Sequence, residues 1–274
     1  MRVLLSGATG FVGGALKRHL ESASWDVTCT GRTVPEDAYF DVIVHAGACP
    51  SAAECIADPA KGRDNITTTF NLLEFCRRNK IPKFVFMSTC EVYGRTLCTV
   101  DEDAPLASFN MYGASKVAGE HMCMAYAHSY NINVVILRVM NVWGPGCHPD
   151  RFPSIIERAF REQATPHFKL QTRVKKRWIH VNDLAEKTRR LIELENLPRV
   201  EIFNVTGPEN LDLVNFISKF GKNFTYEYID GTRGNGYQND LSADGSKLAH
   251  LLDDPSYVFG LEDDPSTDDD VRTR

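Results

Sequence analysis

Short runs of consecutive apolar residues alternate with stretches of three-to-four-residue apolar spacing over the first two thirds of the chain. Strand-like runs stand at 3–6, 26–30, 42–45, 83–88 and 134–138, all but 26–30 mainly apolar. Runs of this length without polar alternation predict strands buried on both faces, as in a parallel sheet. Between them the period changes. Ala15, Leu16, His19 and Leu20 recur near helical spacing, and helices are predicted over 64–79, 111–130 and 181–194. Strand and helix alternating in chain order predict an α/β fold with helices on both faces of a parallel sheet.

The rhythm breaks near Asn141, where loops rich in glycine and proline begin. We read 1–140 with 178–203 as the sheet domain, and 141–177 with 204–260 as a small C-terminal lobe. The last stretch, 261–274, holds Glu262, Asp263, Asp264, Asp268, Asp269 and Asp270 and few apolar residues, so disorder is expected. No internal repeat is visible.

Composition narrows the function classes. At 274 residues and 43% hydrophobic content the chain can bury a substantial core. A net charge of −5 and a pI near 5.9 argue against a nucleic-acid or membrane-surface role. The basic stretch Arg173-Val174-Lys175-Lys176-Arg177 reads as a solvated loop or as a clamp for an anionic substrate. The eight cysteines (29, 49, 55, 76, 90, 98, 123 and 147) show no C-x-x-C pair or zinc spacing. With no signal peptide or membrane span in view, a reduced, cytoplasmic protein is expected.

Chemistry enters at the first turn. Strand residues Arg2-Val3-Leu4-Leu5-Ser6 run into Gly7-Ala8-Thr9-Gly10-Phe11-Val12-Gly13 and then a helix, which is the first unit of a dinucleotide-binding, Rossmann-type doubly wound fold. Gly7 permits the turn, Gly10 admits phosphate and Gly13 lets helix and strand pack, leaving helix N-terminal amides for a pyrophosphate. About a hundred residues later comes Tyr112-Gly113-Ala114-Ser115-Lys116. Tyr112 and Lys116 share one helix face, and an ammonium beside a phenol favours the phenolate, lowering its pKa so that it can exchange protons. Thr89, at the end of the preceding strand, can share the same substrate oxygen.

In these motifs, in Asp41 to Ala48, and in Leu137-Arg138-Val139-Met140-Asn141-Val142-Trp143-Gly144-Pro145 and Arg177-Trp178-Ile179-His180-Val181, the chain resembles the extended short-chain dehydrogenases/reductases, specifically the nucleotide-sugar epimerases and dehydratases. The resemblance implies a cofactor site of Gly7, Thr9, Gly10, Phe11, Val12 and Gly13 with Arg32, Ala46, Gly47, Ala48 and Ser88, completed by Tyr112 and Lys116. It implies a homodimer through the two long helices and a nucleotide-sugar substrate, with Asn141, Arg177 and Arg233 near the diphosphate. Only nine residues separate Gly31 from Asp41, where the family has a helix and a third strand, so the sheet is abbreviated after its second strand. Thr30-Gly31-Arg32-Thr33 leaves NAD and NADP both open: Arg32 suits a 2′-phosphate, whereas internal recycling suits NAD.

The implied chemistry is transient oxidation at C4, with Tyr112, Thr89 and Lys116 as the reacting set. Dehydratases of the family carry Asp then Glu after the threonine; here Cys90 and Glu91 follow. A thiol is a poorer acid for expelling water, so epimerisation is the leading reading. A dehydratase or decarboxylase using Glu91 is the alternative, and an NADPH-dependent ketone reductase a second. A non-catalytic cofactor sensor would have no use for Thr89, Tyr112 and Lys116. His45 is expected to be a packed structural histidine, and His148 and His180 belong to no metal pattern.

Overall fold

The computed structural model describes residues 1–31, 38–94, 99–170, 175–229 and 242–255. Arg32, Arg233, Cys98, the 173–174 part of the basic stretch and the acidic tail lie outside them.

The chain opens with β1 (Arg2–Ser6), α1 (Phe11–Ser22), β2 (Asp26–Thr30) and β3 (Val42–His45). Two helices, α2 (Ala52–Ala57) and α3 (Pro59–Arg78), then lead to β4 (Lys83–Thr89), which runs into a 3-10 turn, Cys90–Tyr93. The short β5 (Thr99–Val100) precedes α4 (Met111–Tyr130) and β6 (Asn133–Val139). Six parallel strands form the main sheet in the order β10-β6-β4-β3-β1-β2, where β10 is Val200–Val205. Among the described residues β2 forms the edge of this sheet; most of the nine-residue interval after Gly31 lies outside them.

Alternate side chains of each strand feed two cores. Val3, Leu5, Val42, Val44, Val85, Met87, Val135 and Leu137 pack beneath α1 and α6 (Val181–Glu193). Leu4, Ile43, Phe84, Phe86, Val134 and Ile136 point the other way, toward α3 and α4. Period-two side chains apolar on both faces thus account for the unbroken runs.

Beyond β6 the chain builds smaller sheets. In one, β7 (Asn141–Trp143) and β11 (Asn210–Leu211) flank β9 (Lys176–His180). In the second, β8 (His167–Leu170) pairs with β12 (Thr225–Tyr228). An aromatic cluster of Phe152, Trp178, Phe216 and Phe220 joins them to α5 (Phe152–Glu162), with Trp178 stacked on Phe216 at 3.9 Å. Finally β13 (Ser242–Ala243) pairs with β5.

Candidate active site

Strand β1 lies between β2 and β3, so chain connections diverge to either side of it and leave a crevice at the carboxyl ends. The glycine turn occupies that crevice. Gly10 N–H donates to the Gly7 carbonyl at 2.9 Å. Gly7 has φ +79°, and a Cβ on it would stand 2.6 Å from Gly47 Cα. A Cβ on Gly13 would stand 2.0 Å from the Gly7 oxygen. The turn therefore needs bare glycines at both places. Gly10 caps α1 without a side-chain bond, and no acid lies in the first turn. Amides at Phe11, Val12 and Gly13 beside the exposed Thr9 fit a dinucleotide pyrophosphate. Ala46, Gly47 and Ala48 form the opposite wall, immediately after β3.

The expected reacting groups converge at the end of β4. Thr89 closes the strand, and its Oγ accepts from Glu91 N–H at 3.3 Å, starting the 3-10 turn. Asn110 caps α4 through its side-chain oxygen, which accepts from Gly113 N–H at 2.8 Å. The same amide donates to Glu91 Oε2 at 2.7 Å, tying α4 to the turn. Gly113 is obligatory here, because a Cβ would meet the Glu91 carbonyl at 2.7 Å and Ser108 Oγ at 2.1 Å. This packing brings Tyr112 alongside Thr89, whose hydroxyl hydrogen-bonds to the phenol.

Burial dominates the electrostatics of this set. Burial raises the Tyr112 pKa, and Cys90 and Glu91 raise it further, against the Thr89 hydrogen bond and the charge of Arg151. Lys116 Nζ donates to the Met87 carbonyl at 2.7 Å and lies 4.8 Å from the Phe86 ring centre, while burial lowers its pKa to about 8. Tyr112 and Lys116 lie one turn apart on α4, as the spacing predicts. Burial and neighbouring Glu91 hold the Cys90 thiol up at about 12, so it stays protonated at neutral pH.

The remaining residues divide. Ser88 is buried, and its hydroxyl donates to Glu120 Oε1 at 2.5 Å. Asn141 is half-buried and donates to the Arg177 carbonyl at 3.1 Å. Arg177 does not reach an open site. Its side chain is fully buried, and Nη1 donates to the Gly207 carbonyl at 3.3 Å and the Pro208 carbonyl at 2.8 Å. Strand alternation explains this: Arg177 and Ile179 turn inward, whereas Lys176, Trp178 and His180 share the more open face. His45 is packed and neutral, as expected, with burial lowering its pKa to about 3. Among the described residues no cluster of His, Cys, Asp and Glu could hold a metal.

Residues 3–206 match the profile of the NAD dependent epimerase/dehydratase family. The chain belongs to that family. Family members are NAD-dependent enzymes of the extended short-chain dehydrogenase/reductase type. The chain is 29% identical to an uncharacterized UDP-glucose epimerase of Bacillus subtilis, over 77% of this chain and 68% of that one. To a dTDP-glucose 4,6-dehydratase of Streptomyces niveus it is 32% identical, over 53% of this chain but only 44% of that one. A UDP-glucuronic acid 4-epimerase mutant from Bacillus cereus, solved with UDP-4-deoxy-4-fluoro-glucuronic acid and NAD, superposes with a TM-score of 0.79 at 25% identity, over 97% and 96% of the two chains.

Two cations also bear on these groups: Lys176, from the basic stretch, and Arg151. Lys176 lowers the Cys90 pKa and Arg151 lowers that of Tyr112. Arg151 also donates to the Pro50 carbonyl at 3.1 Å, reaching the loop that follows Ala48. Period-two counting along β9 puts Lys176 on the face opposite Arg177. Nothing local marks Arg151, which arrives from the small lobe through tertiary structure.

Proposed function

We propose that this protein is an NAD-dependent 4-epimerase of nucleotide sugars, working through a transient 4-keto sugar. The observation that carries this reading is the character of Cys90 and Glu91. Elimination of water needs a strong proton donor beside the sugar, and the thiol at about 12 is a weak one. Glu91 already accepts from Asn110, which favours its role as the brace between turn and helix. Epimerisation needs neither group as an acid.

In this reading Thr89 and Tyr112 hold the C4 hydroxyl between them, and Tyr112 takes its proton and later returns it. Lys116, one helical turn along, stabilises the negative charge that develops on the phenol. NAD, when bound, supplies the acceptor that takes hydride from C4 and gives it back. The glycine turn and the α1 amides hold the pyrophosphate of the dinucleotide. Asn141 fixes the Arg177 backbone, and Lys176 and Arg151 replace the Arg177 side chain as candidate cations for the substrate diphosphate. The named relatives point to a uridine diphosphate hexose as the substrate class.

The outer face of α3 and α4 exposes Phe70 and Tyr130 beside Tyr126, with ring centres 6.4 Å (Phe70–Tyr126) and 5.1 Å (Tyr126–Tyr130) apart. An aromatic patch of this kind supports a homodimer through the two helices. Free thiols at the seven described cysteines support a reducing, cytoplasmic setting. Among the described residues no helix is long and apolar enough to cross a membrane.

The test is product analysis. Purified protein is first denatured and assayed for released NAD or NADP, then incubated with UDP-glucose and UDP-glucuronic acid. A C4 epimer with no net change in the dinucleotide supports the proposal. A 4-keto-6-deoxy sugar or released carbon dioxide would assign Glu91 as a base in the dehydratase or decarboxylase reading, and stoichiometric NADPH consumption would assign a reductase.

A further inference from the structure

Five buried polar groups beneath the site form one directed hydrogen-bond chain. Ser6 ends β1, His45 ends β3, Thr69 and Asn65 lie on α3, and Ser115 sits between Tyr112 and Lys116 on α4. None is more than 7% exposed. The donor count fixes every direction. Thr69 Oγ donates its single proton to the Asn65 carbonyl at 2.9 Å, so it can only accept from His45 Nε2 at 3.0 Å. His45 therefore carries its proton on Nε2. Its Nδ1, 2.7 Å from Ser6 Oγ, accepts the Ser6 hydroxyl proton, and Ser6 in turn accepts from Gly47 N–H at 3.2 Å.

The chain continues on the far side. Asn65 clasps the backbone of Cys49, accepting from its N–H at 2.8 Å and donating to its carbonyl at 3.2 Å. The same amide donates to Ser115 Oγ at 3.2 Å, and Ser115 donates to the Tyr112 carbonyl at 2.6 Å. One end of the chain is thus Gly47, packed on the Gly7 turn, and the other is the backbone of Tyr112. His45 also lies 5.6 Å, ring to ring, from Phe86, the ring that faces Lys116.

We propose that His45 is a positioning residue, held as the Nε2–H tautomer, that fixes the dinucleotide-binding loop at Gly47 relative to the Asn65–Ser115–Tyr112 segment of the catalytic helix. A neutral imidazole suits this place because it presents one acceptor and one donor on opposite sides, and both are used. An apolar side chain would leave Ser6 and Thr69 without their partners, and a protonated ring would lose the acceptor for Ser6. Glutamine retains one acceptor and one donor. The kinetic part of this inference rests on the proposed assignment of Tyr112; the tautomer and cofactor-binding parts do not.

The experiment combines nitrogen-15 NMR of the histidine rings with NAD titration calorimetry and steady-state kinetics on wild type, Ser6→Ala, His45→Leu and His45→Gln. The expected spectrum shows His45 neutral with its proton on Nε2. Ser6→Ala is expected to weaken NAD about fivefold, the loss of one buried hydrogen bond, and to lower kcat more than it changes the sugar KM. His45→Leu is expected to do worse, and His45→Gln to recover most of both losses. A proton on Nδ1, or an imidazolium, would overturn the proposal. So would variants that lower the melting temperature but keep NAD affinity and kcat, or a failure of glutamine to improve on leucine. If the wild type turns over no nucleotide sugar, the kinetic reading falls with the proposed function while the spectrum and the NAD titrations still decide the coupling.

Discussion

At the residue scale the proposed reaction turns on a phenol whose pKa burial raises, with Lys116 one helical turn away on α4. Tyr112→Phe should lower kcat by at least about a hundredfold while leaving NAD affinity and melting temperature near wild type, as read by kinetics, calorimetry and thermal unfolding. The pH profile has two signs. Activity should rise with pH as Tyr112, raised by burial, releases its proton more readily, and fall above about 8, where Lys116 loses its charge. His45 adds a stability signature. Its folded pKa of about 3 lies below the ordinary 6.5, so its contribution is complete above pH 6.5 and is lost as pH falls toward 3. That loss is of order 4–5 kcal/mol if the unfolded ring titrates normally. Denaturant melts of His45→Gln, which has no ring to titrate, should therefore show a shallower decline than wild type across that window.

At the element scale α4 is held to the sheet by charge as well as by packing. Glu120, fully buried one turn beyond Lys116, receives Ser88 from β4 and pairs with Arg138 of β6 at 2.8 Å. Arg138 also donates to Tyr93 Oη at 3.0 Å, which donates to Asn204 at 2.6 Å. Glu120→Gln leaves a buried guanidinium without its counter-charge and should cost about 3–5 kcal/mol of stability in denaturant melts. Gly13→Ala should disrupt the turn, since its Cβ has only 2.0 Å to the Gly7 oxygen; calorimetry should then show NAD binding lost. Most of this scale was legible in the sequence. Unbroken apolar runs gave the strands, Tyr112 and Lys116 gave the helix, and α4 runs over the residues its pattern predicts. The helix 64–79 begins earlier, at Pro59, because Asp58 caps it and proline suits a first turn. Side-chain direction was less legible. Arg177 faces inward by strand alternation, Lys116 bonds to a backbone carbonyl, and the partners of Ser88 and His45 are 32 and 24–39 residues away in sequence. No local pattern encodes such pairings.

At the scale of the whole molecule, the six-stranded sheet forms the crevice proposed for the cofactor, while β9 carries Lys176 and the N-cap of α5 carries Arg151, the two cations proposed for the substrate diphosphate. The exposed aromatic patch on α3 and α4 predicts a dimer of the 30.7 kDa chain in solution. Light scattering on a sizing column should show twice that mass, and Phe70→Glu should shift it toward the monomer. The central claim is that C4 is oxidised and restored without loss of its hydrogen. UDP-glucose and UDP-glucuronic acid carrying deuterium at C4 test it most directly, with product read by NMR and mass spectrometry. The account predicts a C4 epimer that keeps its deuterium at C4, formed without accumulation of reduced dinucleotide. A product with deuterium moved to another carbon, or with oxygen or carbon dioxide lost, would contradict it.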